Sequence, residues 1–418
     1  MQNENPGNFR RADYIKITLF GFGITALWQS LHTIILPLRL LDFVAESDKN
    51  TLLGLLTMTG LLLAMVVQPV AGALSDRSHF AWGRRRPYIL AGVIFSLMII
   101  PGIGYVGSYA TIFLVYCLLQ IATNTAQGPY QAFIPELVPA SKHGLASGIK
   151  GLLEILGGVA FIYVTSQFMD RYSPVYGAHW LWLSIGVLAM VMLVAMIATV
   201  ILVREPKFPG ESRHSLLWTL SHTLKDIRSN SDFIWFLVSR LLVFMAFAAL
   251  QKFALYYLRD VIGAVNPADA TARFSIVAVA GMLLVVYPAG YLSDKFGRRP
   301  VIIISGLLGA LGIVIIAMTP ELNVILGAAG IIGVAMGGFN SSSWALATDL
   351  VAAREEARYL GIANMATACG SALAGVFGVG IDSFNRYQVN LGYRFLLLAC
   401  LVCFIAGALS ILKVKKSR

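Results

Sequence analysis

The sequence predicts an all-α membrane protein of twelve transmembrane helices in two six-helix pseudo-repeats. Three observations carry this. First, 57% of the 418 residues are hydrophobic and only 13% are charged, with a mean hydropathy of +0.74, a composition that excludes a soluble domain of this length. Second, polar chain is confined to short links between apolar runs of the ~20 residues a bilayer requires. Third, one loop is written twice: GALSDRSHFAWGRRRP, Gly72 to Pro87, recurs as GYLSDKFGRRP, Gly290 to Pro300. After one short insertion in the first copy the register holds, so Glu136-Leu137-Val138 aligns with Asp349-Leu350-Val351, as an ancestral duplication requires.

The apolar runs place spans near 14–38, 51–74, 87–106, 110–135, 144–167 and 179–203, then near 233–258, 271–293, 300–318, 323–347, 358–381 and 391–412. The organisation is therefore an N-terminal six-helix bundle over 1–203, a linker over 204–232 with a short surface helix at 215–228, and a C-terminal six-helix bundle over 233–418. Most of the 32 Lys and Arg residues fall in the N-terminal tail, the links after even-numbered spans and the C-terminus. By the positive-inside rule both termini are cytoplasmic, and a bacterial inner (plasma) membrane is the expected location. The net charge of +11 then reflects topology and contact with anionic lipid, not a nucleic-acid surface. The first run lacks a small-residue cleavage site and has the length of a span, so no removable signal peptide is expected. Cys117, Cys369, Cys400 and Cys403 all fall inside spans, where packing is a better reading than a disulfide framework or a metal site. Phosphate-loop, zinc-protease and hydrolase-elbow motifs are absent from the sequence, which supports neither an enzyme nor a cofactor. A secondary carrier working as a monomer on a small-molecule substrate is the remaining expectation; parallel repeats of this size characterise such carriers.

The pattern G-x-L-S-D-[RK]-x-G-R-R, present after the second and eighth spans, resembles the signature loop of the major facilitator superfamily. The longer first copy, ending Arg84-Arg85-Arg86-Pro87, is similar to that of the sucrose/proton symporters and of the wider glycoside, pentoside and hexuronide symporters. So is the run Asn124-Thr125-Ala126-Gln127-Gly128-Pro129-Tyr130-Gln131-Ala132-Phe133 in the fourth span, and, more loosely, Ala26-Leu27-Trp28-Gln29-Ser30-Leu31 in the first. The resemblance implies the major facilitator fold, alternating access and a sugar or glycoside as solute. Two departures bear on coupling: Gln131 and Gln120 stand where the sucrose carriers place an Arg and an Asp. The implied proton symport thus cannot use that pair, and uncoupled facilitation stays open.

In the signature loops, Asp76 and Asp294 are expected against helix N-termini, whose partial positive charge favours a carboxylate. Arg77, Arg84 and Arg298 are expected to pair with Glu136 or Asp349, forming a cytoplasmic latch. Retention of the loops on the inside is the simpler reading of these arginines, but it does not explain the repeated Asp.

At ~100° per residue, Gln120, Asn124, Gln127 and Gln131 form one narrow polar stripe along the fourth span. Amides in hydrocarbon must face protein or water, so the stripe is a candidate cavity lining for a hydroxyl-rich solute; bonding between helices is the plainer alternative. The first span adds Gln29, with Thr25, and His32, which titrates near neutral pH when unperturbed. In the fifth span Lys150 and Glu154 lie one turn apart and alike in facing. Glu154 leads the proton-coupling candidates, followed by Lys150 and His32, with a static ion pair as the plainer reading. The seventh span brings Arg240, Phe244, Phe247 and Gln251 to one face, while Lys252 points elsewhere. Asn340 and Trp344 in the tenth span and Asn364 in the eleventh complete the candidate substrate-binding set. Asn340 aligns with Gln127, which puts polar groups of both halves at the pseudo-symmetric centre. Gly148, Gly151, Gly157, Gly158, Gly370, Gly375 and Gly378 are read as close helix contacts.

Two alternatives remain open at this point. One is an exporter or carrier of organic anions, motivated by Arg240 and Lys252. The other, of a different class, is a non-transporting membrane assembly or pigment-delivery factor on the same fold.

Overall fold

A helix persists past the edge of hydrocarbon until a cap or a proline ends it, so hydropathy marks the membrane better than it marks helix ends. The computed structural model describes residues 11–80, 82–205, 230–350 and 356–415. Among them twelve helices are long and apolar enough to cross a membrane. These are α1 (Arg11–Leu40), α2 (Lys49–Asp76), α3 (Arg86–Tyr105), α4 (Tyr109–Leu137), α5 (His143–Met169) and α6 (Ala178–Leu202). The second set is α7 (Ser231–Asp260), α8 (Pro267–Phe296), α9 (Arg298–Met318), α10 (Leu322–Asp349), α11 (Tyr359–Asn385) and α12 (Leu391–Lys413). The described residues contain no strand.

Each predicted span falls on one helix, and most helices run longer than the apolar run. At α7 the Asn230 side chain accepts the Phe233 N–H at 3.2 Å, starting the helix ahead of its apolar run. Ser108 and Thr111 form a reciprocal capping box at the start of α4. Gly83 and Gly297, the glycine of each signature loop, have φ of 125° and 94°, a region closed to most side chains. That requirement explains why both copies carry the residue. The surface helix expected at 215–228 lies outside the described residues.

The described residues form two compact units, one of 11–43 and 62–205, the other of 44–61, 230–350 and 356–415. In the first, α1 packs on α5 and α6, while α3 packs on α4 and α6. In the second, α7 packs on α11 and α12, and α9 on α10 and α12. Adding six to each label converts one set into the other, so the packing repeats along with the loop. Equivalent glycines serve equivalent crossings: a Cβ on Gly157 would strike the Phe22 carbonyl of α1, and one on Gly370 the Leu241 carbonyl of α7. Gly148 and Gly151 instead face open space, so the glycines read as close contacts divide into two kinds.

α1 is interrupted in its last third by a π turn, Leu31–Ile35, in which the Leu36 N–H bonds to the Leu31 carbonyl. Pro37 follows directly. Having no N–H for the Thr33 carbonyl one turn back, it loosens the ladder where the wider turn forms. His32 sits inside that turn.

Candidate functional site

The stripe on α4 is part of a longer chain of side-chain hydrogen bonds in the first unit. Gln131 Nε2 donates to Gln68 Oε1 at 3.1 Å, and Gln68 Nε2 to Asn124 Oδ1 at 2.6 Å. Asn124 Nδ2 donates to Gln120 Oε1 at 2.8 Å and to the Gln120 carbonyl at 2.7 Å. Gln120 Nε2 donates to Tyr116 Oη at 2.8 Å, and that hydroxyl lies 2.8 Å from His32 Nε2. Trp28 closes the far end, its ring centroid 5.0 Å from His32 and 5.9 Å from Tyr116. Burial grades along the chain: Gln120 and Asn124 are 3% and 2% exposed, whereas Gln131 is exposed. Desolvated amides require such partners, which explains the continuity of the inner links. Gln29 and Gln127 are half-buried, and neither side chain donates or accepts a hydrogen bond among the described residues. The four stripe amides therefore differ in kind. Two are committed inside the protein, Gln127 is uncommitted, and Gln131 holds one internal bond.

Tyr116 and Gln68 are members that the reading of the sequence passed over. Tyr116 lies one turn before Gln120 on the same α4 face, and Gln68 is an amide inside an otherwise apolar stretch of α2; a search for every polar group at membrane depth finds both.

Lys150 and Glu154 lie on α5 with Nζ and Oε1 3.8 Å apart. Lys150 Nζ also stands 5.0 Å from the Tyr130 ring centroid. The Thr25 hydroxyl donates to the Glu154 carbonyl at 2.8 Å, tying α5 to α1.

At the first signature loop the central cation is Arg85. Its guanidinium donates to Asp76, Glu136, the Gly72 carbonyl at 3.1 Å and Ser75 Oγ at 2.5 Å. Burial alone would lower the Arg85 pKa, but Glu136 and Asp76 outweigh it and hold it above the ordinary value. Arg84 reaches Glu136 at 2.7 Å, and Arg77 is exposed. Asp76 thus engages Arg85. The carboxylate at the N-terminus of α3 belongs to Glu205, which accepts the backbone N–H groups of Arg84, Arg85 and Arg86 at 2.8, 2.9 and 2.8 Å. In the second unit Arg298 donates to Asp294, to Ser293 Oγ at 3.0 Å and to Asp349 at 3.1 Å. The same quartet is built twice: Ser75, Asp76, Arg85 and Glu136 correspond to Ser293, Asp294, Arg298 and Asp349. Counting back from the proline that follows each arginine run gives this match. Counting from the glycine points to Arg84 instead, because the first copy has one arginine more.

In the second unit Arg240 is 2% exposed. Its Nε donates to Thr367 Oγ1 at 2.8 Å and its Nη1 to Ser343 Oγ at 2.7 Å. Its guanidinium carbon lies 4.4 Å from the Trp344 ring centroid and 5.0 Å from that of Phe244. No carboxylate pairs with it among the described residues. Phe247, Gln251 and Asn340 are half-buried and Asn364 is exposed. Lys252 Nζ meets the Ser371 carbonyl at 3.5 Å.

The profile of the family described as MFS/sugar transport protein matches residues 21–413. Sucrose transport protein SUT1 of Oryza sativa subsp. japonica is 33% identical over 117 residues, covering 23% of this chain and 21% of that protein. Solute carrier family 45 member 3 of Mus musculus is 27% identical over 225 residues, covering 50% of this chain and 40% of that one. The chain spans less than half the length of these curated relatives. A solved structure of the nucleoside transporter NupG superposes with a TM-score of 0.75 at 15% identity, covering 97% of this chain and 99% of the other. For a D-xylose-proton symporter the TM-score is 0.73 at 16% identity, covering 97% and 98%. At such identities the likeness shows the fold alone, a twelve-helix arrangement. With the profile spanning nearly its whole length, the chain belongs to the MFS/sugar transport family and is an integral, multi-pass membrane protein of the major facilitator fold.

Proposed function

We propose that the protein is a secondary transporter of a neutral polar solute, a sugar or glycoside, working by alternating access. The observation that carries this is the amide array of the first unit. Gln127 and Gln29 have uncommitted donors and acceptors beside an internally satisfied chain, which suits hydroxyl groups. The sucrose carrier and the D-xylose-proton symporter among the similar proteins support the solute class. The proposal takes 1–203 and 233–418 as the two moving bundles and 204–232 as their linker, with both termini in the cytoplasm of a bacterial inner membrane, the protein being a monomer without a nucleic-acid partner. Gln120 and Asn124 support the site from behind, and Gln29, Gln127 and Gln131 meet the solute. In the second bundle the candidate solute-binding residues are Arg240, Phe244, Phe247, Gln251, Asn340, Trp344 and Asn364. Protons are the coupling ion, with Glu154, loosely held by Lys150, as the leading acceptor and His32 as the second. The signature-loop quartets serve as the cytoplasmic latch, with Arg84 supporting Glu136 and Arg77 at its rim.

One observation favours a second reading, a carrier or exporter of organic anions: Arg240 is a buried guanidinium paired with hydroxyls and rings but with no carboxylate. The test is a thermal-shift series of purified protein with mono- and disaccharides, glycosides and organic anions, followed by proteoliposome uptake of any stabilising compound with and without a pH gradient. Stabilisation by a neutral sugar with gradient-driven uptake, abolished in Glu154→Gln, is the expected result. Stabilisation by anions alone replaces it with the second reading. No response to either class favours a non-transporting membrane assembly or pigment-delivery role.

A further inference from the structure

We propose that His32, Tyr116, Gln120, Asn124, Gln68 and Gln131 act as one reversible hydrogen-bond chain, through which protonation of His32 changes the group that Gln131 offers to a solute from a carbonyl oxygen to an amide N–H. This deepens the proposed function and rests on it for the solute.

Every donor in the chain points the same way. Gln131 donates to Gln68, Gln68 to Asn124, Asn124 to Gln120, and Gln120 to Tyr116. Because Tyr116 Oη already accepts from Gln120, its own proton is directed to His32 Nε2, 2.8 Å away. In that polarity Gln131 spends one of its two N–H groups inward and leaves Oε1 outside the chain. A proton added at His32 Nε2 makes that nitrogen a donor to Tyr116. The Tyr116 hydroxyl must then turn its proton to Gln120 Oε1, and each amide in turn rotates, until Gln131 accepts inward through Oε1 and presents its N–H outward. No covalent bond changes beyond the one N–H formed at His32, and the proton stays there.

The chain is biased toward the observed polarity. Asn124 Nδ2 spends its second N–H on the Gln120 carbonyl at 2.7 Å, a bond that the reversed chain gives up. The reversed state therefore needs both the His32 proton and an acceptor waiting at Gln131. Ring, glycosidic and carbonyl oxygens of a solute are such acceptors. Proton and solute thus favour the same state, which is the linkage a symporter requires.

The ionisable groups on the elements around His32 are few. Tyr116 on α4 touches it. Lys150 and Glu154 on α5 lie further back, against Gly21 and Thr25 of α1 and Tyr130 of α4. Further along α1, Arg39 is bound to Asp42, Tyr172 and backbone carbonyls. α6 carries His179, which lies against Trp180.

The experiment is a pH titration of histidine-labelled protein by NMR in detergent, with the His32 signal identified by its loss in His32→Gln. Gln131→Leu, altered at the far end of the chain, should move the His32 midpoint by about 0.5 pH unit. The same change made on a Gln68→Met background should move it by less than about 0.1. A midpoint that ignores Gln131→Leu in protein with wild-type thermal unfolding overturns the chain without any solute being present. Sucrose is the solute probe: its affinity should differ about tenfold between pH 5.5 and pH 8 in the wild type and less than about twofold in Gln68→Met. Equal sucrose affinity at both pH values overturns the switch. If sucrose binds at neither pH while Gln131→Leu still moves the midpoint, the sugar assignment fails and the chain stands.

Discussion

Removing the Glu205 carboxylate should destabilise the first unit by about 2 kcal/mol. One carboxylate there accepts three backbone N–H groups at the N-terminus of α3, at 2.8, 2.9 and 2.8 Å. A side-chain cap contributes about 0.5 to 2 kcal/mol, and a carboxylate in the field of the helix N-terminus about 0.3 to 1 kcal/mol more. Glu205 is half-buried, so the combined figure lies near the middle of that range. Glu205→Gln should cost somewhat less than Glu205→Ala, because one oxygen still accepts while the new NH2 opposes an N–H. Gly83 offers a cross-check. A Cβ there would come within 2.8 Å of the Glu205 carboxyl, on a backbone at φ 125°. Gly83→Ala in the wild type therefore combines collision with strain, while in a Glu205→Ala background only the strain of about 1 to 3 kcal/mol remains. Denaturant unfolding of the four proteins in one detergent gives the cycle. A Glu205→Ala variant within about 0.3 kcal/mol of wild type, or strictly additive effects, would refute the capping argument.

Arg85→Met should lower unfolding stability more than Arg298→Met, since the Arg85 side chain is 4% exposed against 19% for Arg298 and removing one partner of a buried pair costs about 3 to 5 kcal/mol; equal losses in thermal unfolding would contradict this. At the link between α1 and α2, burial raises the Glu46 carboxyl, but hydrogen bonds from Arg259 and Lys49 outweigh it and hold it below its ordinary range. A depressed carboxylate stabilises the fold above its unfolded pKa, and that contribution is lost as pH falls through the folded value. Between roughly pH 5 and pH 3 wild type should therefore lose slightly more stability than Glu46→Gln, by under about 1 kcal/mol given its exposure; identical profiles would count against the pairs. Gly157→Ala should cost about 1 to 3 kcal/mol by driving α5 off α1, whereas Gly151→Ala, facing open space, should be neutral or stabilising by up to about 1 kcal/mol, and reversal of that order in thermal unfolding would show the packing to be misassigned.

The fold was legible because membrane spans declare themselves one residue at a time, through hydropathy and the duplicated loop. Site partners were less so. The α4 stripe emerged from angular arithmetic on a single helix, which finds residues sharing a face but not what another helix brings to that face. Gln68, on α2, could not enter such a count, although Gly128, absent any Cβ, lets α4 approach the Gln68 backbone closely enough for the bond to Asn124. Arg85 was hidden by the third arginine of the first loop, since a motif read from its glycine assigns the role one residue too early. Glu205 stood in polar chain past the end of α6, and only the three-dimensional return of that segment to α3 makes it a cap.

The π turn at Leu31–Ile35 means that α1 spends one more residue on that turn than a regular helix needs. Every side chain before it is thereby rotated by about 100° relative to those after it. Gln29 stands before this slip and His32 within it, so their facing cannot be related by ordinary helical counting. An alignment of the two halves that is drawn without a gap will pair α1 and α7 correctly on one side of the turn only. The polar residues of the first half and their counterparts in the second are then best matched by position in space, with the extra residue treated as an insertion that sets where His32 points.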